Sequence, residues 1–306
     1  MVLAELGNDP RGECLREGLF REGVDLPEQI VQGPLTRVRQ STGAVVEMVK
    51  PGLRGGHLFV FTCPKCGANL RGSNVASRGQ IEELTPRLKQ FDVLFFDRAA
   101  PALLELARQA REEGVLLVFE PNHLARGSRN EQAAVLSHVV KYARESGKTP
   151  TEWLPPRNSS PRLLIETLGS DGLKYCLRRI NGSWSRWKHM PAIASARLAD
   201  TAGAGDWCTA GIIEQLARTP AGSRWTRTSV ERALTLGQAL AAVSVSFQGP
   251  RGALMQTSAT RIRRIAKAAS MAGSVSVHAV GRLKNSATPV TVGDRNDTCP
   301  LCLSRS

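Results

Sequence analysis

Between residues 93 and 119 the chain changes periodicity twice, and this limits its fold more than any other feature. Val93-Leu94-Phe95-Phe96 is a continuous apolar run, too short for a buried helix, and reads as a strand covered on both faces. Pro101 stands where a helix begins, Leu103, Leu106, Ala107 and Ala110 mark one helical face, and Gly114 ends it. Val115-Leu116-Leu117-Val118-Phe119 is again a strand, and it delivers Glu120-Pro121-Asn122 at its carboxyl end. Leu163-Leu164-Ile165 is a further strand, ending in Thr167-Leu168-Gly169-Ser170-Asp171-Gly172. Leu173–Ile180 and Ser183–Lys188 flank Asn181-Gly182, a strong hairpin signal. Short apolar strands alternating with helices predict an α/β fold whose sheet is mostly parallel and covered on both faces.

The rest of the chain is consistent with that class. Gly7–Gly12 reads as a turn after a short strand over residues 2–6, Cys14–Glu22 as a helix, and residues 23–26 as the close of that unit. Thr36–Val49 and His57–Phe61 suit strands of a small sheet, and residues 80–88 a polar helix. An alanine-rich helix is expected over Val230–Phe247, then a basic helix to Met271 and a polar tail. With 42% apolar and 22% charged residues among 306, the composition is that of a globular protein. No run of about 18 apolar residues occurs, which predicts no membrane span. Residues 1–5 are too short and too acidic a start for a signal peptide, so the default compartment is the cytoplasm. The net charge of +14 suits acidic ligands, from nucleotides to nucleic acid.

Asp200-Thr201-Ala202-Gly203-Ala204-Gly205-Asp206 places small residues between two carboxylates and runs into an amphipathic segment ending near Ala217. Such a loop lets backbone approach a ligand, and the free N–H groups of the first helical turn favour an anion such as a phosphate. A carboxylate beside an anion hole is better used to take a proton from an attacking hydroxyl, which makes Asp206 the candidate base.

The whole run resembles the second signature of the ribokinase-like (PfkB) carbohydrate kinase family. The resemblance extends from about Val2 to Thr257 and is more specific in its C-terminal half. It implies a doubly wound α/β domain over residues 1–257 with a small β lid at about 36–75, followed by a basic helix and tail over 258–306. It implies ATP-dependent phosphorylation of a sugar or similar alcohol, with Asp206 as base, the amides of Ala202, Gly203, Ala204 and Gly205 as anion hole, and Mg²⁺ bridging phosphates. Thr167, Gly169 and Gly172 correspond to the turn beside the nucleotide, with Asp200, Thr201 and Ala202 following it in order. Glu120-Pro121-Asn122 matches an acidic-Pro-Asn segment near the active centre. Glu145 matches the glutamate of an Asn-x-x-Glu motif in which Tyr142 replaces the asparagine, which puts phosphate or metal organisation in question. Gly237, in the late helix, would admit a nucleotide base, although helix packing explains it equally well. The resemblance carries a homodimer through the lid.

Relative to that pattern the sequence begins after the segment that holds a sugar-binding acidic residue and a diglycine–asparagine element. An in-frame extension upstream, or an impaired chain, is the corresponding expectation. The rival to a kinase is a kinase-like protein that binds nucleic acid or a protein partner through knuckles and a basic tail. Gly147-Lys148-Thr149 mimics the end of a P-loop, but Tyr142 stands where its first glycine is required.

Seven cysteines include two Cys-Pro-x-Cys pairs, Cys63/Cys66 and Cys299/Cys302. Two such pairs supply the four thiolates of a closed Zn²⁺ site. Their separation in sequence leaves open one shared zinc, separate or intermolecular sites, or no metal. Cys208 reads as core packing, and no histidine stands at a metal or triad spacing.

Overall fold

The structure is a computed structural model, and it describes residues 2, 6–7, 9–24, 42–49, 57–70, 78–121, 128–144, 154, 161–195, 197–219, 225–281, 299 and 301–302. The strand expected over residues 2–6 and the first part of Thr36–Val49 fall largely outside these residues. Asn122, Glu145, the Gly147-Lys148-Thr149 segment and most of the tail also lie outside them. The chain forms two compact units, Met1–Pro86 with Thr288–Ser306, and Arg87–Ala287.

In the smaller unit, α1 (Pro10–Arg21) starts earlier than residue 14. Asp9 caps it by accepting from the Gly12 N–H at 2.8 Å, and Pro10 occupies the first helical position, so the expected turn is instead the helix start. The Asp9 carboxylate also accepts from the Thr42 amide at 2.8 Å and the Thr42 hydroxyl at 2.7 Å. Strands β1 (Val46–Val49) and β2 (His57–Val60) pair antiparallel, Val46 opposite Val60. Beyond β2 the chain turns back through Thr62 opposite Asn69. Helix α2 (Arg78–Leu84) continues into a 3-10 turn at Thr85–Gln90, where a single polar helix was expected.

The larger unit is built on a six-stranded sheet ordered β3 (Val93–Phe96), β4 (Leu116–Phe119), β5 (Val139–Ala143), β6 (Leu163–Thr167), β7 (Leu173–Leu177) and β8 (Lys188–Met190). The first four strands are parallel and the last two antiparallel. Helices α3 (Pro101–Glu112) and α4 (Arg129–Leu136) provide two of the crossovers. Sequence periodicity had not resolved α4 or β5. Val139-Val140 is too short an apolar run to identify alone, and Lys141 interrupts it.

Alternation within the strands assigns the two faces. Leu116, Val118, Val139, Leu163, Ile165, Leu173 and Tyr175 form one core with Cys208, Ile212 and Leu216 of α5 (Ala204–Leu216) and Val230, Ala233 and Leu234 of α6 (Arg227–Ser244). Leu117, Phe119, Val140, Leu164 and Cys176 are buried on the other face, and α3 and α4 pack on β4. Each fully buried leucine contributes about 1.5–3 kcal/mol. The β7–β8 hairpin is tied to α6 through Glu231, which accepts from Tyr175 at 2.6 Å, Lys188 at 2.5 Å and Arg227 at 3.0 Å. Those donors, led by Lys188, pull the Glu231 carboxyl down to about 2.

Beyond residue 257 the chain continues within the larger unit. After α7 (Gly252–Gln256), the basic helix α8 (Ala259–Ala272) buries Ile262, Ile265, Ala266 and Ala269 against Leu236, Leu240 and Val243 of α6. Its basic residues line the outer side, where Arg263 pairs with Glu214 at 3.1 Å. The last described helix is α9 (Val277–Gly281).

Helices α5 and α6 cross in close contact at two glycines. A Cβ on Gly211 would lie 2.8 Å from the Gly237 Cα, and one on Gly237 would lie 2.6 Å from the Cys208 carbonyl oxygen. Gly237→Ala therefore forces the helices apart, with an expected loss of about 1–3 kcal/mol in chemical denaturation. An unchanged stability would show that the crossing yields without cost.

Candidate active site at the carboxyl edge of the sheet

The parallel strands β4, β5 and β6 end on one edge, the usual place for a ligand in an open α/β sheet. Glu120 follows β4, and Lys141 points from β5 toward the α5 side, in phase with Val139. The Lys141 side chain is only 2% exposed and forms an ion pair with the Glu120 Oε1. The second Glu120 oxygen accepts from the Thr209 hydroxyl at 2.5 Å, which ties β4 to α5. Removing one partner of such a buried pair costs about 3–5 kcal/mol, because the other charge is left uncompensated.

Helix α5 enters this cluster by its N-terminus. Gly203 caps it at φ 74°, ψ −2°, a left-handed conformation that suits glycine. A Cβ at Gly203 would also lie 2.6 Å from the Pro250 Cβ. Asp200 is 1% exposed and accepts from the Ala202 N–H at 2.9 Å and from the Gly249 N–H at 2.8 Å. Trp207 adds a bond from its indole Nε1–H to the Pro250 carbonyl at 2.8 Å. The loops 200–207 and 247–252 thus brace one another, and buried Asp200 acts through that brace.

The expected anion hole narrows in the structure. The Ala202 amide is used by Asp200, and the Ala204 amide donates to the Thr201 carbonyl at 3.2 Å. Among the described residues, the amides of Gly203, Gly205 and Asp206 have no protein acceptor. These donors stand at the positive end of the α5 dipole. Asp206 lies in the first turn, with part of the residue open to solvent while its carboxyl group is partly enclosed by neighbouring protein. Burial of its carboxyl group raises its pKa, nearby Glu120 and Asp97 add to the rise, and Lys141 opposes it. A Cβ placed on Gly205 would meet both Glu120 Oε1 and Lys141 Nζ at 3.7 Å, so the loop runs directly beside the ion pair.

The other sequence-derived positions are distributed as follows. Thr167 ends β6 and donates to the Tyr142 carbonyl at 3.4 Å. Gly169 and Gly172 shape the following turn at φ 60° and 93°, and a Cβ on Gly172 would meet the Met190 carbonyl oxygen at 2.2 Å. Gly237 is buried at the α5–α6 crossing, which accounts for its missing side chain through packing. Tyr142 is buried on the opposite face from Lys141 and donates to Glu166 at 3.1 Å. Burial and the neighbouring Glu166 carboxylate push its phenol pKa upward. Cys208 is buried and raised to about 11 by burial, which fits the expected packing role.

Lys141, Thr209 and Asp97 were missed as site residues in the sequence. A lysine inside an apolar run was the available signal for Lys141. Thr209 and Asp97 offered none, since helical and strand-end polar residues are common. His138 is buried and lowered to about 4 by burial and the nearby Arg111 and Arg162. It accepts the Leu117 N–H at 2.9 Å and so has a structural use.

In the smaller unit Cys63, Cys66, Cys299 and Cys302 come together, with all four sulfurs within 4.8 Å of one another.

Comparison with known proteins bears on the larger unit in particular. No curated protein sequence matches the chain. Solved structures do match in fold. Aminoimidazole riboside kinase from Salmonella enterica, complexed with aminoimidazole riboside and an ATP analog, is 22% identical at a TM-score of 0.54, covering 82% of this chain and 81% of that one. Ribokinase from Giardia lamblia is 14% identical at a TM-score of 0.59, covering 80% and 76%. Adenosine kinase from Sinorhizobium meliloti is 17% identical at a TM-score of 0.57, covering 81% and 72%. Residues 75–257, which contain the Asp200–Asp206 loop and the whole six-stranded sheet, match the pfkB family carbohydrate kinases, and the chain belongs to that family.

Proposed function

We propose that this protein transfers a phosphoryl group from ATP to a hydroxyl of a sugar or sugar-bearing alcohol, with Asp206 as general base. The observation that carries this reading is the pairing of the Asp206 carboxylate with the free amides at the same helix N-terminus. A base and an anion hole one residue apart suit a reaction in which an alcohol loses a proton as negative charge builds on the transferred group. Family membership supports the reaction class. Solved neighbours named for ribose, riboside and adenosine support a ribose-like acceptor, and the ATP analog in one of them supports the donor.

In this mechanism the acceptor hydroxyl gives its proton to Asp206 as its oxygen bonds to the γ-phosphorus, and the bond to ADP breaks. The Gly203 and Gly205 amides hold the equatorial charge. Glu120 and Lys141 fix the floor beneath Gly205, and Thr209 locks that floor to α5. The Asp97 carboxylate is a hard oxygen donor of the type that would hold Mg²⁺, which would supply neutralisation of phosphate charge when the nucleotide is bound. Thr167, Gly169 and Gly172 serve the nucleotide side of the site, as does Glu145 by its place in the motif. The reading includes a dimer through the small sheet, supported by the exposed apolar residues Met48, Leu58 and Phe59 there.

Asp206→Asn is expected to lower kcat by two to four orders of magnitude, about the usual worth of a general base, in a coupled ADP-release assay with ribose and ribosides. A wild-type rate would remove Asp206 from the mechanism. The same variant should unfold at a higher temperature at neutral pH. The Asp206 pKa rises on folding, so its ionisation costs stability above the unfolded value, and the amide abolishes that cost. The acid limb of kcat/KM should lie above the ordinary aspartate range. Glu120→Gln should move it to lower pH, because one carboxylate that raises the Asp206 pKa is gone. An unmoved limb would mean that another group is being titrated.

A further inference from the structure

Outside the kinase site, the described residues contain one dense cluster of soft ligands. The Sγ atoms of Cys63 and Cys299 lie 3.9 Å apart, and those of Cys66 and Cys302 lie 3.5 Å apart. A tetrahedral metal with bonds of about 2.3 Å requires sulfur–sulfur separations of about 3.8 Å. Both distances fit, and the 4.8 Å limit on the remaining pairs allows closure with small adjustments.

The surroundings fit a metal as well as the sulfurs do. The Lys65 and Cys66 amides donate to Cys63 Sγ, the Ala68 amide to Cys66 Sγ, and the Leu301 and Cys302 amides to Cys299 Sγ. Such N–H···S bonds offset the excess negative charge that four thiolates place around a divalent cation. The turn that aims them depends on Gly67 at φ 72°, closed by its amide to the Cys63 carbonyl at 2.9 Å.

The packing around the sulfurs is also relevant. Among the described residues, the core around the cluster consists of Cys63, Leu70 and Cys302, with Ala44, Val46, Ala68 and Cys299 against it. Cys63 and Cys302 are 2% and 5% exposed, so the sulfurs themselves are the centre of that core. A two-stranded hairpin with so little aliphatic burial is marginal in water. Metal coordination would supply the missing folding energy.

We propose that Cys63, Cys66, Cys299 and Cys302 form a single closed zinc site that clasps the C-terminal knuckle to the β1–β2 hairpin. Zinc suits a closed four-thiolate site that serves structure, because it is redox-inactive and indifferent to coordination geometry beyond the tetrahedron. The thiols lose their protons and no electrons move.

The test is elemental analysis of the full chain, expressed and purified without chelator, with thiol counting in denaturant. The expected result is about one zinc per chain and no disulfide. Cys299→Ser with Cys302→Ser should reduce zinc to background, whereas Cys14→Ser should retain it. The wild-type chain, exchanged with Co²⁺, should show the visible bands of tetrahedral thiolate coordination, a readout that does not require any variant to fold. One zinc per two chains, iron in place of zinc, paired disulfides or metal-free reduced thiols would each overturn the assignment.

Discussion

The geometry at the carboxyl edge of the sheet depends on one buried carboxylate. Asp200 uses one oxygen for the Ala202 amide and the other for the Gly249 amide, so two loops far apart in sequence share one side chain. A buried carboxylate is costly unless its oxygens are hydrogen-bonded, and here satisfying it also sets the entry of α5. Gly203 can then take its left-handed conformation against Pro250, and the Gly203, Gly205 and Asp206 amides are left without a protein acceptor among the described residues. Amides at a helix start lack intrahelical acceptors, and the preceding loop, fastened elsewhere, does not supply substitutes.

The Lys141–Glu120 pair provides the second constraint. Its partners come from β5 and β4, and Thr209 brings in α5. A desolvated ion pair adds little net stability over apolar packing, but it penalises any arrangement in which one partner is misplaced. The pair therefore fixes the position of the groups beneath the 200–206 loop. Asp206 experiences Glu120, Asp97 and Lys141 together, so its affinity for a proton is a property of three strands and one helix.

Much of this was legible in the sequence where the signal is local. Apolar runs such as Val93–Phe96 and Val115–Phe119, the Asn181-Gly182 turn and the small-residue run 200–206 each encode their structure within a few residues. Strand β5 was not legible, because its burial requires β4 and β6 on either side and its own sequence carries Lys141 in the middle. Helix α8 showed its basic face to a compositional reading and hid its apolar one. Ile262, Ile265, Ala266 and Ala269 acquire meaning only opposite α6. The start of α1 was misplaced because Asp9-Pro10 resembles a turn, yet the same pair is also a helix cap followed by its first residue.

By itself, the sequence determined the alternation that produces a parallel sheet, the loop that opens a helix beside Asp206, and the supply of four paired thiols. The reason is that strand period, glycine freedom and ligand chemistry are properties of neighbouring residues. Only the tertiary structure decided which amides remain free, that Asp200 is a brace, and that Lys141 and Thr209 stand beneath the loop. It alone brought Cys63 and Cys66 to Cys299 and Cys302. Those outcomes depend on the meeting of distant segments, where burial, pairing and charge must be satisfied together.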